Sequence, residues 1–392
     1  MTLIKEKIAQ AREILKELQI DCWLTFVRET EINGDPTLPF LVDGHLTWHS
    51  ALIICPSRAV AIVGAYDRKS VEDTGAYDEV FGYVEGIRTD FLRTMTALSP
   101  RSIAVNYSQE SEVCDGLTHG MFLSLQSMLS EIGMESRMAP AQKVVSALRQ
   151  RKTPGEIRRI QKAIALTEAI FEKMARFIRP GRTEIEIADF VRGEVEAARL
   201  ELAWDPRVCP AVFTGPDTAE AHYTPTDRKV EPGHVVNMDF GVRVEGYCAD
   251  LQRSYYVARK GEACAPADVK AGFDAIARVI ECSRQCLRPG EIGLEVDRVA
   301  RRIVTEAGYQ EFPHGLGHQV GRFAHDGTAL LGPAWEKYAQ KPFEPIEKGM
   351  VFTLEPRLTV PGKGIVTIEE MVLVTDDGAE YLSTPQQDVV MV

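Results

Sequence analysis

A block near residue 231 returns near residue 347, and each copy runs into a strand pattern carrying one acid. Glu231-Pro232-Gly233-His234-Val235 resembles Glu347-Lys348-Gly349-Met350-Val351, 116 residues later, and the same offset carries Asp239 onto Glu355. Upstream, Arg179-Pro180-Gly181 recurs as Arg288-Pro289-Gly290. Each turn precedes an amphipathic helix pattern, Ile185, Ile187, Phe190 and Val191 in one and Leu294, Val296, Val299 and Ala300 in the other. Pro-Gly turns before helices are common, so the turns alone decide little. An acid at the same place in both copies decides more. It predicts a duplicated helix-plus-strand unit whose two halves face one site.

The acids come in pairs at hairpin spacing. In Val235–Phe240 the side chains of Val236, Met238 and Phe240 share one face, and Asn237 and Asp239 the other. Gly241 to Gly246 reads as a turn, and the return strand from Tyr247 to Val257 carries Asp250. Folding about Val244-Glu245 predicts Asp239 directly opposite Asp250, about 5 Å apart at Cβ. Two carboxylates that close repel, and a divalent cation removes the cost. The second pair repeats the logic. Thr353 and Glu355 share a face, the turn is Pro361-Gly362-Lys363-Gly364, and Ile365 to Val374 returns with Glu369, so Gly362 is the midpoint between Glu355 and Glu369.

A fifth donor comes from the glycine-rich stretch Pro313-His314-Gly315-Leu316-Gly317-His318-Gln319-Val320-Gly321. Its glycines allow close backbone approach. Imidazole with carboxylates suits Mn, Fe, Co or Zn. Four carboxylates and one imidazole exceed the needs of one ion and suit two, with two carboxylates shared. A lone acid in a strand is usually a solvated face. Five donors in paired hairpins within a duplicated frame are much harder to obtain by chance.

The rest of the chain frames this half. At 392 residues the length suits two domains. An amphipathic helix (Ile4, Ile8, Ala11, Leu15, Leu18) opens the chain. Strands are predicted at Cys22–Val27, Ala51–Cys55, Ala59–Val63 and Ser102–Asn106, and a helix at Leu117–Glu131. Between the first two strands runs a long turn-rich loop, Arg28 to His49, a length typical of functional or mobile loops. The boundary is placed near Gln150-Arg151-Lys152-Thr153-Pro154-Gly155, which gives domains 1–150 and 151–392. Net charge is −12 with no long block of Lys and Arg, which argues against nucleic-acid or membrane-surface partners. The eight cysteines form no CxxC pair, and no apolar run reaches membrane-spanning length, so a reduced, cytoplasmic protein is expected.

The second half resembles the pita-bread superfamily of methionine aminopeptidase, aminopeptidase P, prolidase and creatinase. The resemblance rests on Asn237-Met238-Asp239-Phe240-Gly241, Ala249-Asp250-Leu251-Gln252-Arg253-Ser254, His314-Gly315-Leu316-Gly317-His318, Gly349-Met350-Val351-Phe352-Thr353-Leu354-Glu355-Pro356 and Ile368-Glu369-Glu370. The first half looks like the creatinase N-terminal domain, which points to the proline-directed branch. The implied fold class is α+β, a pseudo-symmetric pita-bread domain behind a smaller α/β domain. The resemblance implies that Asp239 chelates one metal ion, that His318 and Glu355 hold the other, and that Asp250 and Glu369 bridge them. It implies manganese first, with cobalt, zinc or iron as alternatives, and a homodimer. His222 and His325 match the family histidines that face substrate. Glu355 would act as the proton acceptor for a metal-bridging hydroxide, and His314 would be structural. The expected activity is that of a proline-directed exopeptidase, an Xaa-Pro aminopeptidase or dipeptidase.

Departures from the family keep a second reading open. His234 stands where the pattern usually has Asp, Gln252 where it has Thr, and Arg357 where it has Gly. Thr367 stands where aminopeptidase P and prolidase usually have an Arg of the substrate pocket. Thr367 and Arg357 suit a non-peptidase C–N hydrolase or lyase acting on a small osmolyte-like molecule. A non-catalytic binding module is disfavoured, because such relatives typically lose the ligand set and this chain keeps it.

Overall fold

A computed structural model describes residues 2–216 and 223–392. They form two compact units, Met1–Arg149 and Gln150–Val392.

The first unit is built around strands whose side chains are buried on both faces. Its elements are helix α1 (Leu3–Glu17), strands β1 (Cys22–Val27), β2 (Ser50–Ile54) and β3 (Ala59–Gly64), α2 (Arg68–Asp73), β4 (Glu79–Tyr83), α3 (Arg88–Leu98), β5 (Ile103–Val105), α4 (His119–Ser130), β6 (Met138–Pro140) and α5 (Gln142–Gln150). The six strands form one mixed sheet in the order β4-β3-β2-β1-β5-β6. Alternate residues divide between two cores. Trp23, Val27, Leu52, Ile54, Ala61 and Val63 pack with α1 and α5, and Leu24, Phe26, Ile53, Ile62 and Val105 pack with Phe91 and Leu125 of the opposite helices. Burial on both sides explains why these strands read as continuous apolar runs. The Arg28–His49 loop is tied down from within. Asp35 accepts from the Thr37 N–H at 2.8 Å and from Asn106 Nδ2 at 2.9 Å, and Asn106 in turn accepts from Trp23 Nε1 at 2.7 Å.

In the second unit α6 (Pro154–Phe177) starts where its cap chemistry dictates. Thr153 caps it in a reciprocal box with Glu156, and Pro154 occupies the first turn, where no N–H is needed. Helix α7 (Glu184–Ala197) and strands β7 (Glu201–Leu202), β8 (Ala211–Thr214), β9 (Val235–Phe240), β10 (Val242–Val244), β11 (Tyr247–Cys248) and β12 (Leu251–Tyr256) complete the first half. The second half has α8 (Ala267–Cys286), α9 (Gly293–Glu306), β13 (Gly317–His318), β14 (Leu330–Leu331), β15 (Val351–Leu354), β16 (Arg357–Val360), β17 (Gly364–Thr367), β18 (Glu370–Val374), β19 (Ala379–Tyr381) and β20 (Val390–Met391). Its core joins Phe273, Ile276 and Val279 of α8 and Val296, Ala300 and Val304 of α9 to Phe352, Leu354, Val366 and Val372. Among the described residues no helix is long and apolar enough to cross a membrane.

The sequence repeat is a structural repeat. The Gly181 N–H donates to Val230 O at 2.8 Å, and the Val230 N–H returns to Arg182 O at 2.8 Å. In the second copy Gly290 donates to Ile346 O at 2.9 Å, and Ile346 returns to Glu291 O at 2.8 Å. Both glycines take positive φ, 88° and 89°, which side chains resist. The same clasp therefore fixes each helix entry to the chain leading into β9 or β15.

One hairpin differs from expectation. β9 pairs with β12 so that Asp239 lies opposite Gln252, not Asp250. The chain reverses at Glu245-Gly246, with φ of 50° and 78°, one residue beyond the expected midpoint. Positive φ at both positions is what a two-residue hairpin turn with the strand twist requires. The register moves by two, so Asp239 and Asp250 still share a face but meet diagonally. The other hairpin has the expected register. Leu354 pairs with Glu370 and Arg357 with Thr367, which places Glu355 across from Glu369.

Candidate metal centre

Four features bring the donors together. The two acidic hairpins touch through an antiparallel bridge between Gln252 and Glu369, with the Glu369 N–H donating to Gln252 O at 3.1 Å. From the opposite face of β12, Arg253 donates to Glu369 O at 2.9 Å and pairs with Glu370, which fixes the strand that carries Glu369. The glycine-rich segment lies against β15. The Glu355 N–H donates to Leu316 O at 2.8 Å, and the His318 N–H to Thr353 Oγ1 at 3.1 Å. Gly317 permits this contact, since a Cβ there would overlap the Thr353 carbonyl oxygen. Finally, buried Asp297 of α9 accepts from the Leu316 N–H at 3.1 Å and holds Arg301, which donates to Phe312 O at 2.9 Å.

The donor atoms converge. Donor atoms of Asp250, His318 and Glu369 lie within 4.8 Å of one another. His318 Nε2 is 3.7 Å from Asp250 Oδ2 and 3.4 Å from Glu355 Oε1. Asp239 completes the group through its contact with the Asp250 carboxyl. Asp250 and Glu369 are the deepest members, 6% and 1% exposed, while Asp239, His318 and Glu355 are partly open on one side. The cluster is thus closed at the back and accessible at the front.

Its electrostatics suit a bound cation. Burial, then the neighbouring acids, pushes Asp250 and Glu369 well above the carboxylate range. Burial and Asp239 do the same to Glu355. Burial alone raises Asp239 to about 7. His318 is driven well below its usual value by burial and by His325, so its imidazole is neutral and its Nε2 can act as a donor to a metal. The carboxylates have few protein partners. Asp239 Oδ1 and both oxygens of Glu369 are buried with no hydrogen-bond partner. Buried polar oxygens are rarely left so, and an ion is one of the few explanations. Oxygen-rich donors with one neutral imidazole fit first-row divalent ions.

The remaining site residues fall as follows. His325 is exposed and sets its ring edge-on to His318, centroids 4.1 Å apart. His222 lies outside the described residues. His314 places its Nδ1 2.8 Å from Gly315 O, and burial with the nearby Arg357 and Arg301 charges lowers it to about 4. Arg357 and Thr367 face each other on the metal side of the β16–β17 ladder. Two of the residues that depart from the family pattern connect to the cluster. Gln252 Nε2 lies 3.4 Å from Glu355 Oε2, and Thr367 Oγ1 lies 3.2 Å from Gln252 Oε1. The sequence marks Gln252 only as a departure from the family pattern, and its contact with Glu355 follows from the true hairpin register.

Comparison with known proteins points the same way as the geometry. Residues 158–376 match metallopeptidase family M24. A Staphylococcus saprophyticus protein named an uncharacterized peptidase is 29% identical over 96% of this chain and 99% of its own. A Mycoplasma pneumoniae protein with a provisional Xaa-Pro aminopeptidase name is 30% identical over 75% of this chain and 81% of its own. Among solved structures, an X-Pro aminopeptidase from Thermotoga maritima superimposes with a TM-score of 0.74 at 25% identity, covering 97% of this chain and all of that one. An Xaa-Pro dipeptidase from Bacillus anthracis shares the fold, with a TM-score of 0.75 at 23% identity over 99% of this chain and all of that one.

Proposed function

Since this chain belongs to metallopeptidase family M24, we propose that it is a dinuclear-metal exopeptidase that cleaves Xaa-Pro peptide bonds. The observation that carries the reading is the set of four acids, two buried and two partly open, around one neutral imidazole, with three of their oxygens buried and lacking any partner. Asp239 would chelate one ion and His318 with Glu355 the other, with the two deepest acids, Asp250 and Glu369, shared between them. The diagonal contact of Asp239 with Asp250 and the 3.4 Å approach of His318 to Glu355 suit that division. Manganese is the first candidate, with cobalt, zinc or iron next.

Paired divalent cations in this place supply Lewis acidity toward an amide carbonyl and make water a nucleophile at neutral pH. The chain's own groups do the rest. Glu355 has a carboxyl raised by burial and stands at the open side of the cluster. It accepts a proton from the attacking water and returns it to the leaving nitrogen. His325, edge-on to His318 at the open side, donates a hydrogen bond to the developing oxyanion or the leaving group. His222 takes the companion role by its place in the family pattern.

The relatives' names include both aminopeptidases and dipeptidases, and both remain within the proposal. Metal-stripped protein, reloaded with Mn, Co or Zn, is assayed against Xaa-Pro dipeptides, longer Xaa-Pro-initiated peptides and non-proline controls. Metal-dependent release of the first residue from the proline series supports the reading. No cleavage of any peptide by metal-loaded protein overturns it. One observation favours a second reading, a C–N hydrolase or lyase on a small molecule: Thr367 presents a short hydroxyl, already engaged with Gln252, on the face that looks toward the cluster. Activity on small amides alone would select it.

A further inference from the structure

Resting on the metal-hydrolase reading, we propose that Gln252 is a positioning residue that fixes the Glu355 carboxylate, and that Thr367 sets which way round the Gln252 amide points. Gln252 stands where the two acidic hairpins cross. It is opposite Asp239 in the β9–β12 ladder, and its backbone bridges to Glu369. Its side chain is buried and spans the gap between the hairpins. Nε2 reaches Glu355 Oε2 at 3.4 Å, and Oε1 lies 3.2 Å from Thr367 Oγ1.

The amide can enter this gap in two orientations, and chemistry separates them. With Nε2 toward Glu355, a donor meets a carboxylate, and the Thr367 hydroxyl meets the amide oxygen. Turned over, with Glu355 ionised as a metal ligand, a carbonyl oxygen faces a carboxylate oxygen with no proton between them. Thr367 is held for this task. It faces Arg357 in the β16–β17 ladder, and its N–H donates to Ser254 Oγ at 3.2 Å. Its hydroxyl proton is shared between Gln252 Oε1 and Pro356 O, the latter at 2.9 Å. The relay Thr367–Gln252–Glu355 secures Oε2 and leaves Oε1 turned toward His318 Nε2, 3.4 Å away. A carboxylate asked to hold an ion with one oxygen and to handle a proton needs a fixed rotamer. Removing outer hydrogen bonds of this kind costs about 10–100-fold in metal affinity or activity.

The test uses Thr367→Val, which removes the hydroxyl at equal volume, Thr367→Ser, which keeps it, Gln252→Leu, and the Gln252→Leu/Thr367→Val double variant. Mn²⁺ affinity of the metal-stripped full chain is measured by calorimetry, kcat and KM on an Xaa-Pro peptide by steady-state kinetics, and folding by thermal melts. Thr367→Val and Gln252→Leu are each expected to weaken Mn²⁺ binding and lower kcat by about tenfold with KM unchanged. Thr367→Ser is expected to restore both, and the double variant to be no worse than Gln252→Leu. Native affinity and kcat in Thr367→Val and Gln252→Leu, a rise in KM alone, or multiplying losses in the double variant overturn the proposal. If Gln252→Leu does not fold, the Thr367 pair decides. A wild type that binds Mn²⁺ but cleaves nothing defeats the hydrolase reading, while the affinity series still judges Gln252. A wild type that binds no metal defeats both.

Discussion

Replacing Asp239 with Asn should make the metal-free protein more stable, by a gain that grows as pH rises from about 4 and levels off above about 7. Asp239 is raised from 3.8 to about 7, first by burial. A carboxyl whose folded value is raised favours folding below its unfolded value, near 3.8, and loses that advantage as pH climbs through about 7. Carried entirely by the folded state, that change is worth about 4 kcal/mol. Asp239 is partly open, so solvent screening reduces the expected gain to about 2 kcal/mol. For a unit of this size that corresponds to a rise in Tm of about 4–8 °C. Asn keeps the shape, removes the charge and can donate to Asp250. Calorimetric melts of EDTA-treated wild type and Asp239→Asn at pH 8 should therefore favour the variant, and the two should converge near pH 4. In excess Mn²⁺ the order should reverse. A ligand at about 100 times its Kd stabilises the wild type by about 2.7 kcal/mol, and the variant lacks one of the proposed ligands. A metal-free variant that melts at or below wild type at pH 8, or a gain that does not depend on pH, would refute the claim that Asp239 is held against its own charge.

Other outcomes follow from the same geometry. Asp250→Ala and His318→Ala should each lose most bound metal and turnover, checked by elemental analysis and peptide assay; native occupancy in either removes that residue from the centre. His222→Ala should keep its metal while kcat falls by about 100-fold or more, as expected for one lost transition-state donor; an unchanged rate removes His222 from the site. Metal uptake should release protons, more at pH 6 than at pH 8, because Asp239 at about 7 is protonated in the metal-free protein at the lower pH and ionised at the higher; calorimetry in buffers of different ionisation enthalpy reads the number. Gly317→Ala should lower the melting temperature and metal affinity together, since the added methyl displaces β13 from the Thr353 carbonyl; a native melt would show that β15 can yield.

Much of the arrangement could be read from the chain because period-2 alternation and turn chemistry act locally. β1 occupies Cys22–Val27, the stretch its apolar run marks. The Glu355–Glu369 hairpin has the register that Gly362 implies. The Asp239–Asp250 hairpin lies two residues from the register that symmetric spacing implies, because the chain turns at Glu245-Gly246. Gly246 accepts φ of 78° and the preceding Glu245 tolerates 50°. The shift keeps both acids on one face, since an even slip preserves the pleat. β4, α2 and α3 were not seen. Strand β4 is half-buried throughout and carries Glu79 and Gly82, so no alternation marks it. The contact of Gln252 with Glu355 was invisible for a different reason. It depends on two hairpins meeting at one bridge, and no local pattern encodes a meeting between segments more than a hundred residues apart.

The most direct test of the central claim is diffraction from crystals soaked in Mn²⁺, with data collected at the manganese absorption edge. Two anomalous peaks about 3.5–4 Å apart, both in contact with Asp250 and Glu369, one also with Asp239 and the other with His318 and Glu355, are the predicted result. No peak among these five residues, or a single ion that leaves Asp239 or Glu355 uncoordinated, would contradict it.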